Sequence, residues 1–260
     1  MATPTAQEQL MLELINRARL DPAAEAVRQG ISLNSGLAAN SISTAAKQVL
    51  AFNFDLIDAA RAHSADMDNR DYFAHSTLGS NADPGQRMTA AGYDFTGTWG
   101  WGENIAASAP ATDTSAGLAT AIVGNHNQLY ASTHGHRQQI FSDGVREIGI
   151  GQDFGYVEAG WSSGSVVTQD FATTATRQSF LTGVVYNDSV ANNDFYDVGE
   201  GQGGVTISIA GGPAGMATWD AGGYGIANVS GTRTVTFSGG GLAAAVSATV
   251  TMPGSNIKLD

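Results

Sequence analysis

Trp101-Gly102-Glu103-Asn104-Ile105 decides the reading of this chain, together with Phe73-Ala74-His75-Ser76 upstream and Gly135-His136-Arg137 about a helix downstream. These stretches set two imidazoles and a carboxylate in loop-like contexts, flanked by glycine or aromatic residues rather than by a helical apolar stripe. Two neutral imidazoles and a carboxylate can hold a divalent metal such as zinc and leave a fourth position for water or a ligand. Imidazole also suits copper, nickel and iron, so the residue types do not choose the metal. Glu103 has an alternative role, accepting a hydrogen bond from one imidazole and fixing its tautomer. A buried polar network bracing the loops with no ion is a third reading.

Working outward, helix signals crowd the first half. Leu10, Met11, Leu14, Ile15 and Ala18 recur at three-and-four spacing and give one apolar face. Asp21-Pro22 reads as N-cap and first-turn proline of a short helix ending at Gly30. Asp55 is the expected cap of a third helix, with Leu56, Ala60, His63 and Met67 on one face and His63 therefore in the core. Further helices are expected over 84–91, closed by Gly92, and over 115–132. Ile148 and Ile150 alternate with glycines, and Val166-Val167-Thr168-Gln169-Asp170-Phe171 is strand-like. Helices followed by a small antiparallel sheet predict an α+β layered domain. Residues 172–179 are small, polar and unpatterned, and read as a linker. Beyond them, β-prone runs at 181–186, 205–209, 227–229, 234–237 and 246–252 alternate with Gly-rich turns, the pattern of an all-β sandwich domain over 180–260.

In this order and spacing, the Ala-His-Ser, Gly-Glu-Asn-Ile and Gly-His-Arg stretches resemble the CAP superfamily (SCP/PR-1-like proteins), in particular its bacterial branch. The resemblance implies a CAP-type α-β-α sandwich over residues 1–173. It places His75, His136 and Glu103 around a cleft whose paired histidines can bind a divalent metal. The family's second glutamate belongs on the helix before Gly-His-Arg, and residues 125–133 contain no carboxylate. His126 on that helix is a candidate partial replacement or, alternatively, a solvent-facing or packing residue, and Ser76 is a hydroxyl expected near the imidazoles. Arg87 matches an arginine usual in bacterial relatives and reads as an ion-pair partner holding a helix. Trp99, Trp101, Tyr93 and Tyr130 lie near the motifs, as a lipid groove or as core. Family members are linked with lipid or sterol binding and with cell walls. The resemblance therefore implies a secreted bacterial protein whose partner is a small apolar ligand, a peptide or a cell-surface component.

In the second half, residues 186–200 pack oxygen-bearing side chains into one connection and resemble the loop of SdrD/Cna B-type β-sandwich modules. Asp188, Asn193, Asp194, Asp197 and Glu200 are the candidate calcium-binding residues. A loop of self-satisfying Asx turns is the alternative.

Composition narrows the function. Twelve Lys and Arg against 24 Asp and Glu give a net charge of −12, and with no basic patch nucleic acid is not expected as an equilibrium partner. The absence of cysteine removes thiolate zinc sites and a disulfide framework. No signal peptide is visible at Met1-Ala2-Thr3-Pro4, and no stretch approaches the ~18 apolar residues of a transmembrane helix. A covalent hydrolase is disfavoured because neither a Gly-x-Ser-x-Gly elbow nor a His-Glu-x-x-His helix occurs. Three functions stay open: a metal-assisted binding cleft, a metal-dependent hydrolase of peptide or nucleic acid, and a structural surface or adhesion module.

Overall fold

Gly149 and Gly151 on strand β3 (Glu147–Phe154) explain how the first half is layered. A Cβ on Gly149 would lie 2.0 Å from the Leu56 carbonyl carbon, and one on Gly151 would lie 2.2 Å from Arg61 N. The glycines let helix α3 (Phe54–Arg70) lie directly on the sheet, while Ile148 and Ile150 point to the other face. A computed structural model describes residues 3–157, 161–177 and 179–260. Met1 and Ala2 of the leader reading and Gln178 of the expected linker lie outside the described residues.

The chain opens with α1 (Ala6–Leu20), started by a Thr5/Glu8 capping box, and α2 (Pro22–Arg28), capped by Asp21. Then follow β1 (Ala51–Phe52), α3, α4 (Pro84–Ala91), β2 (Gly100–Ser108), α5 (Ser115–Ala131), α6 (His136–Ile140), β3 and β4 (Ser165–Thr173). The sheet order is β1-β3-β4-β2; β1 runs parallel to β3, and the other neighbours are antiparallel. Helices α3 and α4 cover one face and α1 and α5 the other, giving the expected three-layer α-β-α arrangement. One cap differs from expectation. Asn53, not Asp55, starts α3, because its extended backbone (φ −126°, ψ 129°) lets its side chain accept from both Asp55 N and Leu56 N.

The stretch expected to be a linker is tied down instead. Ala175 N donates to Thr96 O at 3.1 Å, Thr174 bridges to Arg177, and the Arg177 guanidinium meets Glu147 at 2.8 Å. Past it lie β5 (Phe180–Val184), β6 (Val205–Ile209), β7 (Met216–Ala217), β8 (Gly223–Ala227), β9 (Gly231–Gly239), β10 (Val246–Met252) and β11 (Ile257–Lys258). Of the run expected at 227–229, only Ala227 is in a strand, as the last residue of β8. Sheets β10-β9-β6-β7 and β11-β5-β8 close over an apolar core that includes Leu181, Ile207, Tyr224 and Val235.

Polar and apolar ties join this part to the first. Val184 and Tyr196 sit in the same core as Leu14, Ile15 and Ile148. Trp219 meets Phe52 and Phe54 edge-on with ring centroids 6.1 and 5.4 Å apart. Asn256 donates to Val49 O and Arg146 O, and Lys258 pairs with Glu13 at 2.9 Å. Residue 173 marks a change of sheet, while the core runs on across it.

Candidate functional site

Strand β2 is the edge of the first sheet, and successive residues on it face opposite sides. Glu103 points toward α4 and the loop before it, and Asn104 toward α6. The Gly-Glu-Asn motif thereby serves two layers at once. On the first side, Glu103 Oε1 accepts from His75 Nδ1 at 2.8 Å and Oε2 takes a very short bond from Arg87. The carboxylate is buried, whereas the His75 side chain is 50% exposed. A carboxylate only accepts, so His75 carries its proton on Nδ1 and, when neutral, keeps its lone pair on Nε2.

On the second side, Asn104 Nδ2 donates to His136 O at 3.2 Å and to Gln169 Oε1 at 3.1 Å. Gly135 has φ +96°, which favours glycine just before the first turn of α6. The His136 Nδ1 lies 3.0 Å from Ser132 Oγ. Burial first, then the nearby His75 and His134, hold the His136 pKa below the ordinary imidazole value, so the ring is neutral near pH 7. His75 and His136 thus reach the sheet edge from opposite layers, with ring centroids 6.3 Å apart and planes inclined by 44°.

Three further side chains hold the loops that carry these histidines. His63 is buried on α3, as its spacing indicated, and its Nε2 meets Ala74 O at 3.0 Å. Arg87 donates to His75 O at 2.8 Å and Ala82 O at 3.0 Å while pairing with Glu103. Arg137, fully buried, donates to Leu33 O, Ser35 O and Ala131 O, and makes a very short bond to Tyr130 O. It caps the exposed carbonyls at the end of α5 and sets the turn that presents His136. The sequence reading gave Arg137 no role of its own.

Other candidates lie elsewhere. His126 turns inward on α5, where its Nε2 is 3.7 Å from Glu25 Oε1, so it does not join the histidine pair. Its pKa is lowered by burial, although Glu25 pulls the other way. Ser76 is exposed beside His75, and the hydroxyl that meets His136 belongs to Ser132. Tyr93 and Tyr130 are core, while Trp99 and Trp101 are 54% and 40% exposed.

The acid missing from α5 has a counterpart that spacing did not reveal. Asp170 on β4 stands directly opposite Glu103 in the β2–β4 register, fully buried. No donor among the described residues bonds either of its oxygens. Burial first, and then the negative charge of Glu103, push its carboxyl well above the ordinary value. Asp170 therefore holds its proton to higher pH than an ordinary carboxyl, and when protonated its hydroxyl can donate to Glu103. A carboxylic acid at the centre of an apolar strand was the available sequence signal.

Among the described residues, no three His, Asp or Glu side chains gather in metal-holding geometry, either at the cleft or in the 188–200 loop. In that loop Glu200 is buried and Oε1 accepts from the amides of Ser189, Val190 and Ala191, with Oε2 accepting from Asp197 N. Burial alone would raise its pKa, but these amides hold it below the ordinary value. Asp188 accepts from Asn193 N and Asp194 N, and Asn193 donates to Asp197 at 3.2 Å.

Residues 12–171 match the CAP family, described as the cysteine-rich secretory protein family. Similar solved structures include an extracellular protein containing an SCP domain from Bacillus anthracis str. Ames, at 20% identity and a TM-score of 0.39. That similarity covers 64% of this chain and 39% of the other. An outer surface protein from Borrelia burgdorferi is similar at 12% identity and a TM-score of 0.41, covering 66% of this chain and 96% of the other. No match emerged among curated protein sequences. With a family match spanning more than half of its 260 residues, the chain belongs to the CAP family.

Proposed function

We propose that this protein is an extracellular bacterial binding protein whose CAP cleft takes a divalent metal such as zinc, and through it a ligand or cell-surface component. One observation carries the reading. Both facing imidazoles have Nδ1 engaged, His75 by Glu103 and His136 by Ser132, which leaves both Nε2 edges for a shared partner. Two histidines on one zinc at ~2.0–2.1 Å place their ring centroids about 5–6 Å apart, so the half-exposed His75 needs only a small swing. The donor set fits a labile two-imidazole site whose remaining positions are open to a ligand. Glu103 acts in it as the group that orients His75, because both its oxygens are already engaged. The family's description as secretory supports the extracellular setting.

For residues 180–260 we propose a β-sandwich spacer or adhesion module. Its acidic loop has oxygens of the kind calcium takes, yet its carboxylates are turned onto the loop's own amides. Bracing without an ion is therefore the reading its hydrogen bonds support, and calcium is the alternative.

Calorimetric titration of zinc into the metal-free chain tests the proposal. Saturable binding that disappears in both His75→Ala and His136→Ala is the expected result, and equal binding in either variant refutes it. Metal-dependent turnover of casein or plasmid DNA, lost in both variants, would replace binding with hydrolysis as the function.

A further inference from the structure

We propose that the groove between α4 and the start of β2 is a platform for a neutral glycan. Phe95, Trp99 and Trp101 would stack its pyranose rings, and Asp83 and Gln86 would meet its hydroxyls. The groove has a volume of about 540 Å³, within the ~300–1,000 Å³ range of small-molecule sites. Phe95, Trp99 and Trp101 all line it, the two tryptophans exposed and Phe95 half-buried. The Phe95 and Trp99 rings meet edge-on at 5.4 Å, and the Trp101 indole lies against Gly85. A Cβ at Gly85 would stand 2.5 Å from Trp101 Nε1, so glycine is what lets the indole settle on the first turn of α4.

The polar wall is fixed in place. Asp83 and Gln86 form a reciprocal capping box that uses Asp83 Oδ1 and Gln86 Oε1. Asp83 Oδ2 is left as an acceptor and Gln86 Nε2 as a donor, both rigidly held at the edge of the aromatic floor. A pyranose matches this division, with apolar C–H faces for the indoles and hydroxyls that both donate and accept. An acyl chain would cover the carboxylate and amide without bonding them, at a desolvation cost. An anionic ligand would meet Asp83 on a chain of net charge −12. Trp101 and Glu103 are two apart on β2 and share a face, so a glycan lying on Trp101 continues toward His75. The platform stands whether or not the cleft holds an ion.

Tryptophan fluorescence and calorimetry of the full chain, titrated with cellotetraose and with chitotetraose, test this. The expected result is saturable binding of at least one sugar at millimolar concentration or below. Trp99→Ala weakens it about tenfold, a loss near 1.4 kcal/mol, and Trp99→Phe restores it. Gln86→Glu keeps the capping box but removes the free donor, and weakens binding without lowering the melting temperature. Excess chelator leaves it unchanged, which separates this result from the fate of the metal reading. The proposal is overturned if neither sugar saturates, or if Trp99→Ala and Gln86→Glu both bind as the wild type does. It is equally overturned by tighter binding to phospholipid vesicles than to sugar, or by self-association that Trp99→Ala abolishes.

Discussion

The cleft and the acidic loop are both clusters of polar side chains, yet they leave opposite remainders. In the loop, Glu200 is consumed by four backbone amides and Asp188 by two. At the cleft, Glu103 is consumed by Arg87 and His75, but each imidazole keeps a nitrogen that no other group among the described residues takes. Carboxylates closed onto amides brace a connection, whereas imidazoles pinned through one nitrogen are prepared for a ligand on the other. Cluster composition does not tell these apart; the direction of the hydrogen bonds does.

The largest expected effect falls on the loop. Glu200→Ala strands four amides, and at roughly 1 kcal/mol for each lost bond it lowers stability by about 3–4 kcal/mol in chemical denaturation. A loss under about 1 kcal/mol, or a rise of several degrees in melting temperature on adding calcium to the wild type, would break the contrast. The next effect is at the cleft. Glu103→Gln lowers zinc affinity roughly 10–100-fold rather than abolishing it, the mark of a residue that orients a ligand. Complete loss would make Glu103 a ligand itself.

The smallest effect belongs to Asp170. The folded chain keeps this proton over a pH range in which the unfolded chain, titrating near 3.8, has already released it. Stability therefore falls as pH rises from that ordinary value through the raised one. Asp170→Asn removes this dependence and supplies a permanent donor beside Glu103, so in thermal melts it gains roughly 1 kcal/mol over the wild type within about one pH unit above that ordinary value. The gain vanishes below the ordinary carboxyl value. A variant whose stability varies with pH as the wild type's does contradicts a raised Asp170 carboxyl.

Local signals in the chain are legible where one segment suffices, the α3 cap at Asn53 excepted. Asp21-Pro22, the 84–91 helix with Gly92, and the three motifs around His75, Glu103 and His136 each announce themselves within a few residues. What depended on partners far along the chain was not legible. Asp170 gains meaning only through the β2–β4 register, and Arg137 through carbonyls about a hundred residues away. The 172–179 stretch looks free because its anchors, Thr96 and Glu147, belong to other elements. The spacing of His126 allows either the cleft or a packed helix face, and only the fold shows it buried beside Glu25 of α2.

Zinc-edge anomalous diffraction from crystals grown with zinc and calcium tests the central contrast most directly. The expected result is one zinc peak between His75 Nε2 and His136 Nε2, with Glu103 still on His75 Nδ1 and no ion in the 188–200 loop. A zinc peak away from the two rings, or a calcium ion held by Asp188 and Glu200, would contradict it.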